Sequence, residues 1–370
     1  MKYYILAGEA SGDLHGSNLI KALLQVDANA DIRCWGGDLM QEAGGNLVKH
    51  YKERAFMGFT EVLMNLRKIF KLISFCKNDI TRFNPDVVIF IDNSGFNLRI
   101  AKWAKAQSFK TNYYISPQVW ASRASRVKAI KRDIDSMFVI LPFVKPFYKR
   151  YDYDVAFVGH PLIDAIASRT QVNPKKFRDN HNLNSKPIIA LLPGSRKQEI
   201  TKMLSIMLSL INDFPDYQFV IAGAPSQEFE FYQSFIKHNN VSFISNKTYD
   251  LLSVAHAALV TSGTATLETA LFKVPQVVCY KGSAISYHIA KRIITLKYIS
   301  LVNLIMDKEV VTELIQNDFN KKRLKIELER ILNKDERENM FNTYYELEQK
   351  LGGKGASEKT ATLIYTDLNS

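Results

Sequence analysis

Two doubly wound α/β domains are what this 370-residue sequence predicts, and three observations predict them. Short apolar runs of strand length alternate with helix-period segments, the signature of parallel sheets built from βαβ units. Several runs end in turns bearing glycines or carboxylates that lead into helices, and ligands bind in such sheets beyond the carboxyl ends of strands. The length suits roughly two domains, each able to bury its own core. The economical architecture is a pair of Rossmann-like domains facing a cleft.

In the first half the strand-like runs are 3–7, 32–35, 87–91, 112–115, 136–141 and 155–158. In the second they are 188–192, 218–222, 241–244, 258–261 and 277–280. A polar stretch over 168–186 reads as a linker with one short helix, dividing a first domain over 1–167 from a second over 187–345. Charged helical sequence runs over 321–350, a Gly352-Gly353 break follows, and a last helix is predicted over 356–370.

Composition narrows the partners. The chain is 46% hydrophobic and 23% charged, an ordinary globular balance. Its 49 Lys and Arg against 37 Asp and Glu give a net charge of +12, which favours anionic partners such as nucleotides or phospholipid surfaces. No nucleic-acid module or dense basic arm is present, so nucleic acid is not expected. Cys34, Cys76 and Cys279 lie far apart among apolar neighbours and read as reduced, buried thiols in a cytoplasmic protein. The N-terminal run has no signal-peptide layout, and no stretch suits a bilayer span, so a soluble or peripheral protein is expected.

The most informative motif is Leu192-Pro193-Gly194-Ser195-Arg196, between a buried-strand pattern and an amphipathic helical one. The first amides of a helix are unpaired and its dipole is positive there, so such a turn accepts anions. Ser195 and Gln198 have capping-box spacing, which predicts the helix start, and Arg196 adds a fork suited to phosphate oxygens. A second turn of this kind, Ser262-Gly263-Thr264, follows the apolar 258–260, with Glu268 one turn into the next helix as an acceptor for ribose hydroxyls. Two anion turns in one half-chain suit a nucleoside diphosphate.

The first half carries carboxylates instead. Gly8-Glu9-Ala10-Ser11-Gly12-Asp13 ends the first strand-like run, with a helix expected from about Gly16. Two carboxylates there would repel a pyrophosphate; a sugar or a proton-transfer role suits them better, unless Ser11 or Asp13 merely caps the helix. The run 87–91 ends in Asp92, where partial burial makes a carboxylate a better base toward a hydroxyl. The competing reading is a turn cap shared with Asn93 and Ser94. Residues 56–75 mix a core-facing helical stripe, including Phe70, with Arg67, Lys68 and Lys71. The apolar entry Phe56-Met57-Gly58-Phe59 suits acyl chains or an anionic membrane surface. The acidic pairs Asp133/Asp135 and Asp152/Asp154 read as surface, His160 as a turn residue, and the histidines show no metal-ligand spacing.

At these residues the chain closely resembles the lipid-A-disaccharide synthase family, the membrane-associated glycosyltransferases of lipid A assembly in Gram-negative bacteria. The resemblance is carried, in order, by 7–13, 57–63, Ile91-Asp92 with Phe96-Asn97, 116–121 with Arg123, and 158–162. The second half adds 191–196, 262–268 and 301–304. It implies a GT-B architecture and an inverting transfer of 2,3-diacylglucosamine from its UDP form to the 6-hydroxyl of 2,3-diacylglucosamine 1-phosphate (lipid X). The products would be a β-1′,6-linked lipid A disaccharide 1-phosphate and UDP. It further implies Asp92 as general base, Glu9 as the second carboxylate near the sugars, and Arg196 stabilising the departing diphosphate. Gly194, Ser195, Ser262, Gly263 and Thr264 would contact phosphate, Glu268 ribose, and Asn303 would line the donor pocket. Ser11, Met57, Phe59, Trp120 and Arg123 would meet the acceptor, its acyl chains or the membrane.

No cofactor or metal is implied, because Arg196 and helix amides take that place. The expected location is cytoplasmic, peripheral on the inner membrane's cytoplasmic face. The C-terminal helix crosses back onto the first domain or exchanges between subunits, and monomer and homodimer both stay open. Ser94-Gly95 replaces a frequent Pro-Asp, Ser122 a common tryptophan and Val302 a common proline, changes that bear on acceptor-pocket shape. The rivals are another GT-B enzyme (a UDP-sugar epimerase or a different lipid glycosyltransferase) and a non-catalytic binder of anionic lipid.

Overall fold

The computed structural model describes residues 1–54, 66–122, 124–236, 240–282 and 297–370. It contains two compact units, one formed by residues 1–168 with 351–370 and the other by 169–350. The first holds a seven-stranded sheet: β1 (Lys2–Ala7), β2 (Asp31–Gly36), β3 (Asn46–His50), β4 (Val87–Ile91), β5 (Lys110–Tyr114), β6 (Ser136–Val139) and β7 (Ala156–Phe157). The strands are all parallel, in the order β3-β2-β1-β4-β5-β6-β7. β1 and β4 are near-continuous apolar runs, as strands covered on both faces must be, whereas β5 buries Thr111 and Asn112 ahead of Tyr113 and Tyr114.

The second unit repeats the plan with β8 (Ile188–Leu192), β9 (Gln218–Gly223), β10 (Val241–Ser245), β11 (Ala257–Thr261), β12 (Gln276–Tyr280) and β13 (Glu313–Ile315). Its order is β10-β9-β8-β11-β12-β13, again all parallel. In each sheet the order reverses beside the unit's first strand, between β1 and β4 and between β8 and β11. Those two points are where an open parallel sheet leaves a crevice for ligand.

Two expected boundaries differ. The stretch 168–186, expected as a linker with one short helix, forms that helix as Pro174–Asn180 but belongs to the second unit, where Phe177 is buried in the core with Ile188 and Ala190. The helix expected from about Gly16 begins six residues earlier, as Ala10–Val26. The C-terminal helix Ala356–Asn369 packs on that helix, and its Ala361 and Ile364 enter the first core. All three cysteines are buried.

The helix Leu66–Phe83 is held to the first sheet by polar bonds as well as by Ile73, Cys76 and Ile80. Asp79 accepts from the Tyr4 hydroxyl (2.6 Å) and, bidentately, from Arg33 (2.9 and 2.7 Å). Burial works to raise the Asp79 carboxyl, but the bonds from Arg33 and Tyr4 outweigh it, and the group lies below the usual carboxylate range. A depressed folded-state value contributes stability above about pH 4 that is lost as pH falls through the folded value. Asp79→Asn is therefore expected to destabilise the protein at neutral pH, by less than the roughly 3–5 kcal/mol of a fully buried pair because Arg33 reaches solvent. Denaturant unfolding at pH 7 and pH 3 checks this. A wild-type advantage that does not shrink in acid would remove Asp79 as its source.

Candidate active site

Asp92 and Glu9 occupy the switch point of the first sheet, Asp92 following β4 directly and Glu9 following β1 after Gly8. Asp92 and Asn93 both have left-handed backbones, φ 45° and 42°. The turn at Gly8 meets this one so closely that a Cβ on Gly8 would lie 1.9 Å from Asn93 Nδ2, so only glycine fits. Glu9 is the N-cap of Ala10–Val26 but makes no side-chain capping bond, leaving its exposed carboxylate at the positive end of a long helix. Ser11 is exposed in the first turn of that helix.

Asp13 takes no part in this cluster. It is buried, and its carboxylate accepts from the amides of Gly37 (2.7 Å), Leu39 (3.2 Å) and Met40 (3.0 Å), capping the helix Asp38–Glu42. Neither Ser11 nor Asp13 caps its own helix. Asp92 likewise caps nothing: the helix Ser94–Ala106 starts behind Asn93 without a side-chain bond.

Asp92 keeps solvent access, yet the surrounding strand ends crowd it. Desolvation first, and the charge of Glu9 second, push its carboxyl above the usual carboxylate range. A carboxylate serving as base at this position would work only when deprotonated, and that role predicts an acid limb of kcat above the ordinary Asp range. Glu9→Gln removes one cause and should move that limb to lower pH. A pH profile unchanged by Glu9→Gln would show that the two carboxylates do not feel each other.

The other residues expected near the acceptor include Trp120, Met57, Phe59 and Arg123. Trp120 is half-buried and packs edge-on against Phe143, centroids 4.8 Å apart. Met57, Phe59 and Arg123 lie outside the described residues. Phe70, expected in a core stripe, is instead 66% exposed on the helix Leu66–Phe83. His160 is the buried N-cap of Pro161–Ala167, its Nδ1 accepting from the Leu162 amide.

The second unit has its own cavity of about 320 Å³, at the switch point between β8 and β11. Gly194, Ser195, Ser262, Gly263, Thr264 and Glu268 all line it. Gly194 (φ 106°) and Gly263 (φ 151°) take backbones that L side chains avoid, and each turn feeds a helix, Lys197–Leu208 and Thr264–Leu271. The Ser195/Gln198 capping box does not form: Arg196 is the N-cap, and the Ser195 carbonyl accepts instead from Ser226 and Gln227. Arg196 is exposed, is not among the lining residues, and pairs with Glu199 at 3.1 Å. Glu268 takes a hydrogen bond from the Tyr249 hydroxyl (2.7 Å); burial raises its carboxyl, with the Tyr249 bond opposing.

Asn303 is placed differently from the sequence expectation. It is wholly buried, donating from Nδ2 to the Val311 carbonyl (2.8 Å) and Glu313 (2.9 Å). Its Oδ1 accepts from the Val310 and Val311 amides (2.8 and 3.0 Å). With both ends of its amide spent, it builds the loop before β13 and is not among the residues lining the cavity. Sequence reasoning missed Glu199 and Thr248, which do line it, and Tyr249 behind Glu268. The i,i+3 spacing from Arg196 was the available signal for Glu199. A second hollow of about 410 Å³, lined by residues including Lys308, Arg330 and Glu336, mixes both charges and lies at neither switch point.

The model of the lipid-A-disaccharide synthetase family matches residues 3–365. The chain belongs to that family. It is 39% identical to the lipid-A-disaccharide synthase of Syntrophus aciditrophicus (strain SB) over 98% of this chain and 96% of that protein. It is 35% identical to the synthase of Coxiella burnetii (strain CbuK_Q154), over 98% and 97% respectively. Like other members of the lipid-A-disaccharide synthetase family, it is a UDP-sugar glycosyltransferase.

Among solved structures it resembles the UDP-GlcNAc 2-epimerase from Neisseria meningitidis bound to UDP-GlcNAc, with TM-score 0.73, 14% identity and full coverage of both chains. It also resembles CalG4, the calicheamicin glycosyltransferase, with TM-score 0.60, 15% identity and coverage of 100% and 98%. At those identities the likeness is one of fold, that of GT-B, and it does not favour the epimerase reading for this member of the synthetase family. Among the described residues no helix is long and apolar enough to cross a membrane.

Proposed function

We propose that this chain transfers 2,3-diacylglucosamine from its UDP form to the 6-hydroxyl of 2,3-diacylglucosamine 1-phosphate, giving lipid A disaccharide 1-phosphate and UDP. The observation that carries the reading is the sorting of groups between switch points: carboxylates in the first unit, anion-binding turns in the second, within a chain of this family. Asp92 accepts the proton of the 6-hydroxyl as that oxygen attacks the anomeric carbon of the donor. The bond from that carbon to the diphosphate oxygen breaks on the opposite face, so the centre inverts. Glu9 raises the basicity of Asp92 and hydrogen-bonds sugar hydroxyls.

In the second unit the helix starts behind Gly194 and Gly263 offer amides to the phosphates, and Glu268, held by Tyr249, accepts from the ribose. Negative charge grows on the departing diphosphate, and Arg196 meets it by exchanging Glu199 for phosphate oxygens. The reading includes no metal, since Arg196 and the helix amides supply the positive field. It also includes an anionic membrane surface at the inner membrane's cytoplasmic face. The exposed Phe70 beside Arg67, Lys68 and Lys71 on the helix Leu66–Phe83 suits that surface.

The test is UDP release from UDP-diacylglucosamine in mixed micelles, with and without diacylglucosamine 1-phosphate. Acceptor-dependent release with a disaccharide 1-phosphate product is the expected result. UDP binding without turnover would reject this acceptor while leaving the donor site in place.

A further inference from the structure

The carboxylate proposed as base stands on an unusual backbone. Single Asn or Asp residues visit the left-handed region readily, but two in succession, Asp92 and Asn93, need support from outside the turn. Two buried side chains supply it. Asn97, wholly buried in the first turn of Ser94–Ala106, shares its Nδ2 protons among the carbonyls of Leu6 (3.3 Å), Ile91 (3.1 Å) and Asp92 (2.9 Å). It thereby ties the ends of β1 and β4 to the turn itself. Tyr113, wholly buried on β5, donates its hydroxyl to the same Asp92 carbonyl. The Asp92 amide in turn donates to the Tyr114 carbonyl at 3.3 Å, so the residue is gripped on both sides of its Cα.

We infer that Asn97 and Tyr113 are positioning residues of the reaction, clamping the Asp92 carbonyl so that its carboxylate meets the acceptor hydroxyl in one orientation. The inference rests on Asp92 as the base. Neither side chain touches substrate in this account; both act through Asp92. A purely architectural role, sealing the sheet ends, predicts the same hydrogen bonds but different kinetics. Tyr113 is the cleaner probe, because Tyr113→Phe keeps the ring packed on Phe90 and leaves Asn97 on the Asp92 carbonyl. Removing Asn97 would take a donor from three carbonyls at once.

A double-mutant cycle of wild type, Tyr113→Phe, Asp92→Asn and the double variant decides the matter, with kcat, both KM values and thermal stability read for each. Asp92→Asn should lower kcat by about 10²–10⁴-fold, the worth of a positioned base. Tyr113→Phe should lower kcat by about 10- to 100-fold through misorientation, with both KM values unmoved. In the Asp92→Asn background Tyr113→Phe should cost nothing more, because the group it aims is already gone. An equal factor in both backgrounds, or a loss appearing in KM or in thermal stability instead of kcat, would overturn the positioning role and leave the base assignment standing. Full turnover in Asp92→Asn would bring down the base assignment first and this inference with it.

Discussion

Asp92→Ala is expected to lower kcat by about 10²–10⁴-fold, the range that general base catalysis commands, while UDP affinity stays at the wild-type value. The separation follows from placement. Asp92 follows β4 in the first unit, and every residue lining the cavity read as the UDP site belongs to the second. Alanine tolerates a φ of 45° less well than aspartate, so the unfolding midpoint has to be read alongside kcat. Asp92→Asn, which suits the left-handed turn and lacks the base, is the control for that backbone effect. Single-turnover rates and UDP titration calorimetry together are the check. A loss of UDP affinity matching the loss of turnover would make Asp92 a structural residue.

Arg196→Ala carries the second large effect, and it should divide differently. Preorganised positive charge on a leaving diphosphate acts mainly in the transition state, so kcat should fall by about 10²–10³-fold. UDP itself should bind about tenfold more weakly, equivalent to about 1.4 kcal/mol. Stability should hardly move. The Arg196 side chain is 81% exposed, and its ion pair with Glu199 is of the surface kind worth about 0–1 kcal/mol. Lysine should restore only part of the activity, since an ammonium cannot present the two parallel donors of a guanidinium. Wild-type kinetics in Arg196→Ala would place the diphosphate elsewhere.

The strands that carry these turns were legible because each is a short apolar run in a chain otherwise patterned for helices. β3 and β13 were not, for a physical reason: they lie on sheet edges, and Asn46, Lys49 and Glu313 interrupt their apolar character. Gly12 and Gly16 made the start of Ala10–Val26 look like a loop. In the fold they are what lets the helix lie close, since a Cβ at Gly12 would come within 3.1 Å of the Ala7 Cβ and one at Gly16 within 2.6 Å of Met40 Sδ.

The site divides along the same line. Residues at strand ends, such as Asp92, Gly194 and Ser262, are marked by local pattern. Asn303 carried a family motif but no local sign that Val310, Val311 and Glu313 would consume its amide. Asn97 and Tyr113 were unreadable as partners of Asp92 because Tyr113 meets it across the sheet and Asn97 reaches back to Leu6.

The return of the chain to its first unit sets an order of events during synthesis. Residues 1–168 leave the ribosome first, but their core lacks Ala361 and Ile364 until the last helix emerges. At about 5–20 residues per second, the intervening 169–350 keep that core waiting for roughly 10 to 40 seconds. The second unit, uninterrupted in sequence, is complete before then. The half that is translated first is therefore the half whose core is completed last.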